Sequence, residues 1–188
     1  MYGLVNKAIR DMICTHHGEE LWARVRELAE VPVDDFDGMQ PYPDDLTHRL
    51  VRAASVELQE DPHRLLRAFG EFWVKYTAHE GYGPLMDMAG DSLPEFLQNL
   101  DDLHARVGVN FPQLQPPSFE AEEPSTGTMH LHYHSQRQGL APMVMGLVEG
   151  LGDRFDTPVE VQQLADRNAG ADHDVFEVRY QGGAAPDS

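Results

Sequence analysis

The hydrophobic period of this chain changes once, and that change limits the folds open to it. Up to about residue 107 apolar residues recur three and four apart, as on a helix. From Thr128 onward much of the chain alternates, as on a strand. Residues 3–17 form an amphipathic helix striped by Leu4, Val5, Ala8, Ile9, Met12 and Ile13, with Gly18 to end it. Further helices are expected at 19–29, 45–58 and 62–77. The stretch 31–44, rich in Pro, Asp and Gly, reads as a loop. Residues 79–91 read as irregular or as holding a short turn. A last helix covers Asp91 to Val107, with Asp91 or Ser92 as N-cap, Pro94 in its first turn and Gly108 as its stop. Pro112, Pro116, Pro117 and Pro124 make 110–127 a crossing loop. Then follow a strand at 128–137, a short helix at 142–151, and strands at 159–165 and 175–180 joined through 170–173. Helices first and strands later predict an α+β fold: a helical N-terminal lobe, then a small antiparallel sheet with one or two helices. At 188 residues the chain suits one domain, 1–181. Its helical lobe would span about 1–110 and its sheet lobe about 126–181, with 182–188 as a flexible tail.

Charge narrows the partners. The chain has 32 Asp plus Glu against 14 Lys plus Arg, a net charge of −18. That argues against nucleic acid and against an anionic membrane surface. Cys14 is the single cysteine, which rules out an internal disulfide and suits a reducing compartment. No apolar run is long enough to span a bilayer. Asn6, Lys7, Arg10 and Asp11 interrupt the N-terminus, which therefore lacks a signal-peptide pattern. A cytoplasmic location is expected.

Two groups of residues carry chemistry. On an extended strand Tyr133, Ser135 and Arg137 share a face, so two hydroxyls and a guanidinium converge. Such a set can hold an anionic group at the edge of a larger apolar ligand. A surface strand whose Arg pairs with a local acid is the commoner explanation. His104 lies on the stripe of Leu93, Phe96, Leu97, Leu100, Leu103 and Val107 and is expected to face inward. An isolated inward histidine is usually satisfied by a backbone carbonyl, yet it is also what a haem iron needs as an axial ligand. His130, His132 and His134 alternate with Tyr133, Ser135 and Arg137 and share the opposite face. They read first as a solvated outer face, and second as an adventitious site for zinc or nickel.

Beyond these groups, nearly the whole chain resembles a known family. The stretches are MYGLVNKAIRDMI, FGEFWVKYT, EGYGPLMDMAGDSLPEFLQNLDDLHARV, FPQLQPPSFE, LHYHSQRQGLAPMVMGLVEGLGDRF and DHDVFEVRY. Together they resemble the haem nitric oxide/oxygen-binding (H-NOX) domains. The resemblance implies a b-type haem between the lobes, with His104 as its axial ligand and Tyr133, Ser135 and Arg137 on its propionates. Pro117 would press on and distort the haem. Val5, Ile9, Trp73, Met143 and Leu147 would line the distal pocket. An acid should orient Arg137, and the sequence leaves its identity open. The absence of a Cys-x-x-Cys-His motif means non-covalent haem. Some relatives build a zinc site from cysteines, which one cysteine cannot supply. The implied function is a sensor of nitric oxide and carbon monoxide that releases His104. It would signal to a separate protein such as a histidine kinase or a cyclic-nucleotide enzyme. A peroxidase-like haem enzyme and a haem carrier or interaction module are the alternatives.

Overall fold

Gly18 takes a positive φ of 84°, which closes the first helix and starts the second without a side-chain penalty. The computed structural model describes residues 1–109, 111 and 113–181. The expected tail 182–188, and Pro112 of the crossing loop, lie outside the described residues. The helical part comprises α1 (Gly3–His17), α2 (Glu19–Leu28), α3 (Asp44–Leu58) and α4 (Pro62–Thr77). Asp61 caps α4 by accepting from the His63 and Arg64 amides. A widened turn, Ala78–Tyr82, follows α4 and bends at Gly81 (φ 97°) into the short α5 (Gly83–Asp87).

The helix expected over 91–107 is two pieces. Asn99 ends α6 (Leu93–Gln98), and α7 (Leu100–Gly108) begins beyond it. The Asn99 side chain donates to the Ala89 carbonyl at 2.9 Å, which draws it into a turn.

The remainder is a four-stranded antiparallel sheet, order β1-β2-β4-β3, with one helix. Its members are β1 (Ser118–Ser125), β2 (Thr128–His134), α8 (Ala141–Arg154), β3 (Val159–Ala165) and β4 (Asp174–Tyr180). The fold is thus α+β, as its sequence implies. Two local expectations are overturned. Residues 118–125, assigned to a loop, form an edge strand; Pro124 is tolerated there because only one side is paired, and the register shifts next to it. The strand expected to reach Arg137 stops at His134, because its partner β1 begins at Ser118, opposite His134. Ser135 Oγ then accepts the Arg137 amide at 3.1 Å and turns the chain away.

Two apolar clusters meet along α4 and α8. One gathers the sheet, α6 and α8; the other gathers α1 to α4. Val74 of α4 packs in the first and Phe69 in the second, so α4 serves both. A methyl on Gly146 would overlap the Arg67 carbonyl, and one on Gly70 the backbone of Met143 and Leu147. The two helices therefore cross with backbones nearly touching. No helix among the described residues is long and apolar enough to cross a membrane.

Candidate functional site

A cavity of about 320 Å³ lies between the helical part and the sheet. That is the size and place expected of a ligand pocket. Its walls come from the start of α1, from α4, α6, α7 and α8, from the loop before β1, and from the end of β2. Leu97, Leu100, Leu103 and Val107 face it. This explains why no residue of α7 is fully buried although its stripe points inward. The stripe read from sequence lines a cavity instead of packing against protein.

His104 also lines the cavity. Its ring stacks on Phe119 with centroids 5.7 Å apart and planes at 23°. Asp101, one turn earlier, accepts from Ser118 Oγ at 2.9 Å and from the Phe119 amide at 2.6 Å. These bonds fasten α7 to β1 and hold Phe119 against the imidazole. Burial pushes the His104 pKa down, and the Asp101 charge opposes it more weakly. The ring is therefore neutral near pH 7. Its Nδ1 is buried with no hydrogen-bond partner among the described residues. The carbonyl that satisfies an ordinary core histidine is missing.

Another part of the cavity wall is polar. Tyr133 is buried at the end of β2, and burial pushes its phenol pKa up. Ser135 and Arg137 reach the cavity from the turn after β2, not from a shared strand face. Arg137 donates from Nε to Asp44 Oδ2 at 2.8 Å and from Nη1 to the Gln115 carbonyl at 2.8 Å. Asp44, at the start of α3, is thus the acid that orients it. Burial works against ionisation of Asp44. The Met1 ammonium and the Arg137 guanidinium outweigh it and hold the carboxyl below its ordinary range. Asp45 instead pairs with Arg49 at 2.9 Å.

Pro117, Val5, Trp73, Met143 and Leu147 all line the same cavity. Ile9 does not. It is buried among the helices and faces a second apolar cavity lined by α1, α3 and α4. One helical turn beyond Val5 has already carried the chain behind the pocket wall. Several polar residues at the cavity escaped sequence reasoning, Thr77 and Tyr82 among them. The Thr77 hydroxyl is spent on the Trp73 carbonyl at 2.8 Å. The Tyr82 phenol has its pKa raised by burial and then by Glu80. Its place follows from the widened turn at 78–82, which residue type does not announce. His130, His132 and His134 occupy the half-buried face of β2, opposite the buried Met129, Leu131 and Tyr133.

A haem asks for a neutral imidazole, apolar walls and a cation at the edge where its carboxylates emerge. His104 with its orphaned nitrogen, the leucine walls and Arg137 fit those needs.

Comparison with known proteins agrees. The family model described as haem-NO-binding matches residues 2–163. A soluble guanylate cyclase of Caenorhabditis elegans, gcy-31, is 28% identical over 182 residues, which is 96% of this chain and 26% of that protein. The guanylate cyclase soluble subunit beta-2 of Rattus norvegicus is 36% identical over 120 residues, 61% of this chain and 18% of that protein. The chain thus spans about a quarter or less of these cyclases. Among solved structures, an H-NOX protein from S. oneidensis in the Fe(II)NO ligation state superposes with a TM-score of 0.89 at 19% identity. That match covers 97% of this chain and 100% of the other. Fe(II) unliganded H-NOX from K. algicida gives 0.85 at 17% identity, over the full length of both chains. These structures share the fold.

Proposed function

Because this chain belongs to the haem-NO-binding (H-NOX) family, we propose that it is a cytoplasmic gas sensor that binds nitric oxide and carbon monoxide at a ferrous b-type haem. The observation that carries this reading is one cavity lined both by a neutral imidazole with no partner among the described residues and by an acid-braced guanidinium. His104 holds the iron. Tyr133, Ser135 and Arg137 hold the propionates, and Pro117 presses on the ring. Val5, Trp73, Met143 and Leu147 wall the gas-binding side. When bound, haem supplies a ferrous iron that takes up diatomic gases.

The residues of the chain supply the rest. Burial keeps the His104 lone pair free of a proton. The Asp101 bonds to Ser118 and Phe119 couple α7 to the sheet, so a displacement of His104 would load a helix that the sheet feels. A gas shifts that balance only by its differential affinity for the two arrangements. Residues 1–181 act as one sensing unit. In this reading a separate protein, such as a histidine kinase or a cyclic-nucleotide enzyme, reads the signal. An acidic surface suits a basic docking face on that protein.

Absorption spectra test this directly. Ferrous protein should show a histidine-ligated haem spectrum that changes with carbon monoxide and changes differently with nitric oxide. Failure to retain haem, or a spectrum indifferent to both gases, overturns the proposal.

A further inference from the structure

The outer face of the sheet carries a second cluster that the cavity does not use. His134 ends β2, and Asp172 and His173 sit just before β4. One ligand atom from each lies within 4.8 Å of the other two. His173 Nδ1 is 3.2 Å from Asp172 Oδ2. In a tetrahedral zinc site with bonds of about 2.0–2.1 Å, ligand atoms sit roughly 3.3 Å apart. The pair is therefore already near coordination spacing. The His134 and His173 rings stack at 4.1 Å and 26°.

The groups behind this trio are arranged as metal-bound histidines require. The other nitrogen of His173, Nε2, lies 2.8 Å from His132 Nδ1. His132 Nε2 is buried without a hydrogen-bond partner and faces Glu122 at 3.9 Å. With Nε2 of His173 engaged by His132, its Nδ1 is the nitrogen left to face Asp172 and a metal. A merely solvated histidine face has no reason to bury and orphan the Nε2 of its middle member.

We propose that His134, Asp172 and His173 form a divalent transition-metal site, with His132 as the residue that orients His173. Two imidazoles and one carboxylate select zinc or copper over magnesium or calcium. A fourth position is left for water. Occupancy joins the end of β2 to the loop before β4. The Arg167 guanidinium, from that same loop, already donates to the Ser135 carbonyl. The metal would thus brace the turn that carries Ser135 and Arg137. This site is separate from the cavity, and its existence does not rest on the proposed gas sensing.

The test is calorimetric titration of zinc chloride into untagged, chelator-treated, haem-loaded full chain. Wild type should take up one equivalent with saturation. At a hundredfold excess over the dissociation constant, zinc should raise the melting temperature by about 5–10 °C. His173→Ala and the exposed Asp172→Asn should each lose the saturable site. His132→Ala should weaken it about 10–100-fold. His130→Ala, on the same strand face, should bind as wild type does. Zinc-edge absorption should show two imidazoles. The proposal fails if wild type shows no saturable uptake, or if uptake survives in both Asp172→Asn and His173→Ala. It fails equally if uptake is lost only on changing His16 and His17 at the end of α1.

Discussion

An imidazole with a buried, unpartnered nitrogen is costly unless something binds the ring. For a buried polar group left without a partner the cost is about 1–3 kcal/mol. Among the described residues His104 carries that cost, within a largely apolar cavity, so its ligand role can be separated from its packing role. The His104→Gly protein should lose the histidine-ligated ferrous spectrum, and added imidazole should restore it by filling the space left behind. An unchanged spectrum without imidazole would overturn the assignment. Arg137 offers a graded test. Arg137→Ala should speed haem transfer to an apo-globin about 10–100-fold, the equivalent of about 1.5–3 kcal/mol for a charge-assisted bond. Asp44→Asn should speed it less, because the Gln115 carbonyl still braces the guanidinium. Asp44 also adds a pH signature. Its folded-state pKa is depressed, so its contribution to stability is present above the ordinary value of 3.8 and is lost as pH falls below it. Denaturant melts should find wild type more stable than Asp44→Asn at pH 7, with the gap closing toward pH 3. A constant gap would remove the ionic explanation. The inward place of His104 was legible from local pattern, whereas Arg137 reaches the cavity from a turn and not from the strand face that pattern gave it. The role of Asp44 was not legible, because it stands 93 residues from Arg137 in sequence.

The elements that sequence recovered are those whose pattern is long and regular. The first four helices and the last two strands lie within a few residues of expectation because each has an apolar face or clear breakers. β1 was hidden, since SFEAEEPS has two acids in a row and a proline, and as an edge strand only Phe119 of it is buried. The end of β2 was misjudged because alternation continues in sequence after the pairing partner has run out. The α4–α8 crossing was invisible, for a glycine in a helix does not say what it lets approach. That crossing supports a measurable contrast. Gly146→Ala places a methyl on the Arg67 carbonyl and forces the helices apart, at about 1–3 kcal/mol. Gly108→Ala, at the end of α7, meets nothing within 4 Å and should gain a few tenths of a kcal/mol to about 1 kcal/mol from helix propensity. Thermal melts should therefore drop by about 2–12 °C for Gly146→Ala and rise slightly for Gly108→Ala. A Gly146→Ala protein that melts like wild type would mean that α4 and α8 do not cross this closely.

At the scale of the whole molecule, what the cavity admits depends on which groups the two halves bring to it. Bound dioxygen draws electron density from iron, and a hydrogen-bond donor over it stabilises that charge, whereas carbon monoxide depends little on such a donor. The proposed gas-binding side has Val5 from α1, Met143 and Leu147 from α8, and Trp73 from α4. Aliphatic groups and a thioether cannot donate. Thr77 is already committed to the Trp73 carbonyl. Among the donors that remain at the cavity are the Trp73 indole and the Tyr82 and Tyr2 phenols, and each is held by its neighbours. Trp73 stacks with Tyr76 at 6.3 Å and lies beside Phe69 in the helical core. Tyr82 lies 6.3 Å from Phe111, whose ring also meets Tyr2 edge-on at 4.8 Å. Tyr82 and Tyr2 thus both pack on Phe111. The ferrous protein should therefore bind nitric oxide and carbon monoxide yet give no lasting dioxygen spectrum when opened to air and recorded within seconds. A persistent oxy-type spectrum would refute this, and its loss in Trp73→Phe or in Tyr82→Phe would identify the donor. Met143→Tyr supplies the converse, placing a phenol on α8 where the cavity now has a thioether, and should slow dioxygen release. An air-exposed Met143→Tyr spectrum indistinguishable from wild type would mean that position 143 does not overlook the bound gas.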